Sequence, residues 1–243
     1  MAQSDWTTAL QSLPTNDVYS RPTTGTTKPN GGGNFVLPYV SLTNAPGASA
    51  RYVNGANFAP CVSGAEITFA TARLASGGVT AWSAFAFVGL QGTSVNDSCY
   101  MLGLSDNEVS LIELRKGVLV NGLPHEEPGG ANGILRRSTL QVPIGEWVHL
   151  KLEVVVQQFG DVYLNCYIND LGANPVTAPV WTEIAGLELD YNGLAVSFID
   201  DGAGINSGSL PLIGGRIGLG VRVDDVTRRA AFDHITIARQ TAP

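Results

Sequence analysis

The sequence has few charged residues and lacks basic stretches. Charged side chains make up 14% of its 243 residues, against about a quarter in an average soluble domain, and the formal net charge is −7. Nucleic-acid-binding domains carry a basic patch or stripe, whereas the basic clusters here are the short pairs Arg136-Arg137 and Arg228-Arg229. We therefore expect no nucleic-acid partner.

Cysteine, long apolar runs and a signal sequence are also scarce or missing. The three cysteines are an odd number, so at least one thiol is unpaired, and Cys166 lies in an apolar register that predicts a reduced, buried side chain. No stretch approaches the ~20 apolar residues of a membrane span. The N-terminus has neither a cationic start nor the apolar core of a secretory signal. We expect synthesis in a cytoplasm and no membrane partner.

Residues 1–33 are predicted to form an arm. The stretch 20–33, SRPTTGTTKPNGGG, is rich in Thr, Gly and Pro and buries too little apolar surface to offset its ordering entropy, so it indicates a linker. The preceding DWTTALQSL has the apolar spacing of a short helix. Because a helix of two or three turns is marginal alone, we expect Trp6, Leu10 and Leu13 to dock on a partner.

From residue 34 onward the apolar residues recur with a period of two. WVHLKLEVVV (147–156) and DVYLNCYI (161–168) alternate cleanly and are joined by a short connection, which predicts a hairpin. WSAFAFVGL (82–90) is apolar on both faces, as a strand covered on both sides would be. About a dozen such runs and no helical period predict an all-β fold, an antiparallel two-sheet sandwich over residues 34–243.

The last run, AFDHITI, breaks the alternation. Strict alternation places Phe232 on the face opposite Ile235 and Ile237. The strand therefore either contacts apolar surface on both sides or carries a β-bulge.

The order of several sequence motifs resembles that of a known superfamily. CYMLGLSDNEVSLIELRKG, LQVPIGEWVHLKLEVVV, GDVYLNCYIND and GGRIGLGVRVDDVTRRAAFDHITIA follow one another along the chain. The order and spacing of these motifs resemble those of concanavalin A-like lectin/glucanase domains, in particular the laminin-G-like jelly rolls. The resemblance covers roughly residues 35–240 and implies a jelly-roll sandwich with a short N-terminal helix or arm.

The resemblance raises two kinds of chemistry, and the residues favour neither. Glycoside hydrolases of the superfamily use a pattern similar to E-x-D-x-(x)-E, and the nearest match, Glu188 with Asp190 in LELDYNG, has no third acid. We therefore assign no catalytic residue and expect no enzyme. Laminin-G-like domains often bind Ca²⁺ through rim carboxylates, for which Asp200 and Asp201 are the best candidates, although an acidic turn is more often simply solvated. No cofactor other than this possible Ca²⁺ is expected.

Histidine gives no further indication of a metal or catalytic site. The three histidines, at positions 125, 149 and 234, are scattered and have no metal-ligand spacing. His149 falls on the polar face of its strand, and we assign it a surface or intersheet role.

Carbohydrate binding is the remaining small-ligand hypothesis. Sugar sites of the superfamily use aromatic platforms with Asn and Asp, and the candidates here are Trp181, Tyr191, Tyr163 and Tyr167. The polar face that carries Tyr163, Asn165 and Tyr167 is explained equally by cross-strand stacking within the sheet.

Two functions follow. The first is a non-enzymatic structural or adhesion protein of a bacteriophage particle, because the combination of arm and jelly roll resembles decoration, tail and fibre components. It implies location in the virion, docking on other virion subunits, a homo-oligomer and contact with a host-surface glycan. The alternative is a free carbohydrate-binding module. A glucanase-like hydrolase ranks below both.

Overall fold

The computed structural model describes sixteen segments of the chain. They are residues 6–11, 17–20, 36–42, 48–54, 64–74, 82–90, 98–104, 111–120, 123–124, 134–143, 145–157, 160–169, 180–184, 198–200, 211–223 and 229–239. The regular secondary structure in these segments is entirely β-strand. Among the residues described, no helix is long and apolar enough to cross a membrane.

Sixteen strands are present in these segments. In chain order they are β1 (Trp6–Gln11), β2 (Asp17–Ser20), β3 (Val36–Leu42), β4 (Ala48–Asn54), β5 (Gly64–Leu74), β6 (Trp82–Leu90), β7 (Ser98–Leu104), β8 (Leu111–Val120), β9 (Leu123–Pro124), β10 (Ile134–Gln141), β11 (Trp147–Val156), β12 (Val162–Asn169), β13 (Trp181–Glu183), β14 (Phe198–Asp200), β15 (Arg216–Val223) and β16 (Arg229–Arg239).

The strands form two antiparallel sheets. Sheet A has the order β1-β4-β15-β6-β7-β8-β10, with β9 paired to β8. Sheet B has the order β13-β12-β11-β5-β16-β3-β2, with β14 paired to β12. The predicted all-β, two-sheet jelly roll is confirmed.

The main core lies between the sheets and follows the alternation of the sequence. In β11, Val148, Leu150, Leu152 and Val154 are buried, and the same face of the sandwich receives Val162, Leu164 and Cys166 of β12. Sheet A contributes alternate residues of β6, β7 and β8 to the same cluster. Cys166 is a free thiol that is 7% exposed, as its register predicted.

Strand β6 is buried on both faces, as its continuous apolar run predicted. Ala84, Ala86 and Val88 point into the main core. Phe85 and Phe87 belong to a second buried cluster, together with Leu90, Cys99 and Met101. This second cluster lies on the other face of sheet A, because neighbouring residues in a strand alternate.

Strand β16 carries a β-bulge, which resolves the broken alternation of its sequence. Asp233 pairs with Ala70, whereas Thr236 pairs with Thr68, so three steps along β16 match two steps along β5. Phe232 is buried in the main core, and Ile237 packs against the same cluster. The extra residue therefore returns both side chains to one face, and the bulge alternative is the right one.

The N-terminal segment differs from its prediction. Residues 6–11 form strand β1, which pairs with β4, and not a helix. A register shift between Thr8 and Leu10 leaves one extra residue in β1. Such a bulge removes strict alternation, which explains why the apolar spacing imitated a helix. Strand β2 pairs with β3 in sheet B, so the N-terminal segment supplies a strand to each sheet. The proposed domain boundary after residue 33 lies outside the described residues.

Candidate functional site

The outer face of sheet B brings polar and aromatic residues of four strands together. They alternate with the core residues of β5, β11, β12 and β13, and the register arranges them in rows across the sheet. We define this outer face by ten residues: Glu66, His149, Lys151, Glu153, Tyr163, Asn165, Tyr167, Asn169, Trp181 and Glu183.

Two neighbouring rows form the centre of the outer face. His149 lies opposite Asn169, and Asn169 lies opposite Trp181. In the next row Lys151 lies opposite Tyr167, which pairs with Glu183. Tyr167 and Trp181 are half-buried, so part of each aromatic ring remains accessible.

The Lys151 ammonium lies over the aromatic side chains. Its Nζ is 4.2 Å from the ring centroid of Tyr167 and 5.5 Å from that of Trp181. Glu66 Oε2 is 3.8 Å from the same Nζ. Cation–π attraction and the carboxylate together hold the ammonium against one face of the Tyr167 ring.

Trp181 also contacts a buried histidine. The ring centroids of His149 and Trp181 are 4.8 Å apart and their planes are inclined at 63°, an edge-to-face arrangement. The side chain of Asn169 in β12 connects β11 with the residue that precedes β13. Its Oδ1 accepts the Val180 backbone N–H at 2.9 Å, and its Nδ2 lies 3.3 Å from His149 Nδ1. These contacts fix the indole at the edge of sheet B.

The side chain of Asn165 makes one hydrogen bond and leaves one acceptor unused among the described residues. Its Nδ2 donates to Glu153 Oε2 at 2.6 Å. A carboxylate accepts only, so this bond fixes which end of the amide carries the nitrogen. The remaining Oδ1 is buried and has no hydrogen-bond partner among the residues described. A sugar hydroxyl is the kind of donor that would satisfy it.

The outer face is acidic. Glu66, Glu153 and Glu183 outnumber the one ammonium, that of Lys151. Burial first, and then the negative charges of Glu153 and Glu183, raise the pKa of Tyr167. Its hydroxyl therefore stays protonated, and able to donate, throughout the neutral range.

The structure brings three of the four predicted sugar-binding residues to this face. Trp181, Tyr163 and Tyr167 lie on it, in two adjacent strands. Tyr191 lies outside the described residues, as do Glu188 and Asp190 of the hydrolase-like pattern.

Sequence reasoning did not connect His149, Lys151, Glu153 and Asn169 with the aromatic residues. The available signal was the hairpin of β11 and β12. Its register sets every second residue of one strand beside every second residue of the other.

Asp200, one of the two predicted Ca²⁺ ligands, lies in the interior. Its Oδ2 is 2.7 Å from Lys116 Nζ, and both side chains are fully buried. The Tyr100 hydroxyl donates to the same oxygen at 2.6 Å and accepts the Leu212 N–H at 2.9 Å. Because Lys116 already supplies the positive charge, this carboxylate does not fit a Ca²⁺ site.

No metal cluster occurs in the described part of the chain. Nowhere in that part do three or more His, Cys, Asp or Glu side chains come together as a metal site would require. Asp201 is outside it, and a Ca²⁺ site that includes Asp201 stays a prediction. The proposed docking residues Trp6 and Leu10 lie in β1, where the backbone alone is described, and Leu13 lies outside the described residues.

Comparison with known proteins gives matches at the level of the fold. No protein-family model and no curated protein matches the chain. The carbohydrate recognition domain of Emp47p matches with a TM-score of 0.51 at 10% identity, over 98% of this chain and 89% of that one. The exoplasmic/lumenal domain of VIP36 in its Ca²⁺/Man3GlcNAc-bound form matches with a TM-score of 0.50 at 11% identity, over 84% and 80%.

The fold is a concanavalin A-like jelly roll. A carbohydrate-binding module from Bacillus subtilis, CBM66, is also similar, with a TM-score of 0.47 at 12% identity over 96% of this chain and 95% of that one. Two of these three neighbours are named for carbohydrate recognition or carbohydrate binding. At these identities the likeness shows the shared fold alone.

Proposed function

We propose that the chain is a carbohydrate-binding protein without catalytic activity, and that glycans bind on the outer face of sheet B. The observation that carries the proposal is the juxtaposition of Trp181 and Tyr167 with the amide of Asn165. Sugars have apolar C–H faces that pack on aromatic rings, and hydroxyl groups that need placed donors and acceptors. The outer face of sheet B supplies both on a rigid sheet.

The structural neighbours support the same function. Emp47p is represented by its carbohydrate recognition domain, and VIP36 was solved with Man3GlcNAc bound. Since fold does not fix function, it is the residues of the outer face of sheet B that favour glycan binding in this chain.

We further propose that the glycan is uncharged. Three carboxylates and one ammonium leave the outer face net negative, and Lys151 is already close to Glu66. An acidic sugar would meet Glu153 and Glu183 without an unmatched cation. A neutral sugar avoids this repulsion, so neutral oligosaccharides are expected to bind more tightly than uronates of equal length.

Isothermal titration with Man3GlcNAc, a panel of neutral trisaccharides and trimannuronate tests the proposal. Trp181→Ala is expected to weaken binding of the best neutral glycan by at least ~30-fold, the effect of removing an aromatic hot spot of about 2 kcal/mol. Leu140→Ala is the matched control, because it truncates a 41% exposed apolar side chain on sheet A. No binding to any glycan at millimolar concentration, or equal loss in both variants, would refute the proposed site. Tighter binding of trimannuronate would refute the charge argument alone.

Location in a bacteriophage particle remains a further proposal. It rests on an analogy with virion components that display a jelly roll outward, and it is compatible with a glycan-binding face at a particle surface. Mass spectrometry of purified virions tests the location, and sedimentation of the isolated protein tests the expected homo-oligomer. Absence of the chain from purified particles would refute the proposal.

A further inference from the structure

We propose that Asn169 and His149 are positioning residues that hold Trp181 in its binding position, and that they do so only while His149 is neutral with its proton on Nε2. The proposal rests on the proposed function, because the residue positioned is the aromatic platform for the glycan. It goes further by assigning a hydrogen-bond direction to each group and a protonation state to the histidine.

The Val180 backbone amide fixes the orientation of the Asn169 side chain. The Val180 N–H can only donate, so the Asn169 side-chain atom at 2.9 Å from it must be the oxygen. The other end of the same amide is then the nitrogen. This nitrogen is the atom that lies 3.3 Å from His149 Nδ1.

The direction of the second bond follows. An amide nitrogen is a donor, so His149 Nδ1 must accept and cannot carry a proton. A neutral imidazole has one protonated nitrogen, which is therefore Nε2. The Val180 backbone thus selects the tautomer of His149 through Asn169.

Protonation of His149 reverses the role of Nδ1. The imidazolium has an N–H at both nitrogens, so Nδ1–H would face the N–H groups of Asn169. Turning the Asn169 amide relieves this conflict but presents its nitrogen to the Val180 N–H. One of the two bonds is therefore lost whichever way the amide turns.

The bond to Val180 is the one whose loss reaches the ligand site. Val180 is 67% exposed, so water can satisfy its freed N–H. Trp181 follows it directly and begins β13, a strand of three residues at the edge of sheet B. Thr182 Oγ1 and the Ile184 N–H keep their own bonds to β12, so we expect local displacement of Trp181 and not unfolding.

Charged and titratable groups surround His149 on every neighbouring strand. They are Lys151 and Glu153 on its own strand, Tyr167 on β12, Glu183 on β13 and Glu66 on β5. The ammonium disfavours a second positive charge and the carboxylates favour it. These groups set the pH at which His149 is protonated. Once it is protonated, its Nδ1–H faces the N–H groups of Asn169 whatever these neighbouring charges are.

The tautomer is tested without any ligand. Long-range ¹H–¹⁵N NMR of the full chain at pH 7.5 is expected to show His149 as the Nε2–H tautomer. On acidification the Val180 amide resonance should titrate together with the His149 ring. A proton on Nδ1 at pH 7.5, or a Val180 resonance that does not follow His149, would overturn the proposal whether or not a glycan binds.

The link to binding is tested by a pH profile. Binding of Man3GlcNAc is expected to weaken by ~10-fold between pH 7.5 and pH 5, the effect of one lost hydrogen bond. His149→Asn keeps an acceptor near the Nδ1 position but cannot titrate, so its binding should change by less than about twofold over the same range. An unchanged pH profile in His149→Asn would overturn the proposal.

Asn169→Asp is the matched variant in which binding should not weaken at pH 5. Its carboxylate still accepts the Val180 N–H, and it also accepts a hydrogen bond from His149 Nδ1–H. Either the imidazolium or the Nδ1–H tautomer of the neutral ring can donate this bond, so binding should change by less than about twofold between pH 7.5 and pH 5. A pH profile identical to that of the unaltered chain would contradict the proposed bond directions. If Man3GlcNAc and the neutral panel fail to bind at every pH, the proposed function fails, while the NMR result still decides the hydrogen-bond directions.

Discussion

Replacing Lys116 by methionine tests the charged group inside the sandwich. Lys116 Nζ and Asp200 Oδ2 are 2.7 Å apart, and neither side chain is exposed. Tyr100 cannot take over the neutralising role, because burial and then the Asp200 charge raise its pKa above the ordinary value. Lys116→Met therefore leaves a buried carboxylate that keeps a hydrogen bond from Tyr100 but loses its ammonium partner.

The expected cost is large relative to the stability of a domain. At 2.7 Å and an effective dielectric constant of about 20, the attraction is about 6 kcal/mol before desolvation is subtracted. Removal of one partner of a buried ion pair typically costs about 3–5 kcal/mol. Since domains unfold with about 5–15 kcal/mol, the single variant should be near the limit of folding.

Urea denaturation followed by tryptophan fluorescence measures this cost. The control is the double variant Lys116→Met/Asp200→Asn, which removes both charges and leaves an acceptor for Tyr100. Replacing both members of a buried pair is often neutral, so the double variant should unfold within about 2 kcal/mol of the unaltered chain. A loss below 1 kcal/mol in Lys116→Met alone, or equal losses in the single and double variants, would refute the reasoning.

Two further predictions concern packing and thiol chemistry. A Cβ at Gly103 would lie 2.1 Å from the Ala84 carbonyl oxygen, so Gly103→Ala should lower the free energy of unfolding by about 3 kcal/mol or more. A Cβ at Gly145 would meet no atom within 4 Å, and the φ of this residue is +89°. Gly145→Ala should therefore cost only about 1–2 kcal/mol of backbone strain, and urea denaturation measures both losses. Burial raises the pKa of the Cys166 thiol, so little of it is thiolate at pH 8. A maleimide should therefore leave Cys166 unlabelled until urea unfolds the chain, and mass spectrometry detects the label. Equal losses in the two glycine variants, or native-state labelling of Cys166, would contradict these expectations.

Local patterns were enough to predict much of the fold. The alternation in β11 and β12 gave the buried face, the hairpin and the state of Cys166, because a half-buried strand has a period of two wherever its register is regular. The broken alternation around Phe232 left a bulge as one of two alternatives, and the pairing of β16 with β5 decided between them. In β1 the bulge falls in a short run that has no regular alternation on either side. The sequence therefore predicts a helix there.

Contacts between distant segments could not be predicted. From the sequence, Lys116 is expected to be an exposed charge within β8, and its partner Asp200 is expected to lie in an acidic turn. Only the packing of β14 beside β12 brings the carboxylate beneath sheet A. For the same reason Trp181 was a separate candidate until the pairing of β13 with Asn169 placed it beside His149.

The positions of the last two strands have a consequence for biosynthesis. β15 lies between β4 and β6 in sheet A, and β16 lies between β3 and β5 in sheet B. Before residues 216–239 leave the ribosome, β1 to β4 therefore have no strand that joins them to the remainder of either sheet. A nascent or truncated chain that stops short of β15 presents four open strand edges, which invite association with other chains. Complete folding of the sandwich must then follow translation of its final strand, and shortened products should be found with chaperones or in aggregates.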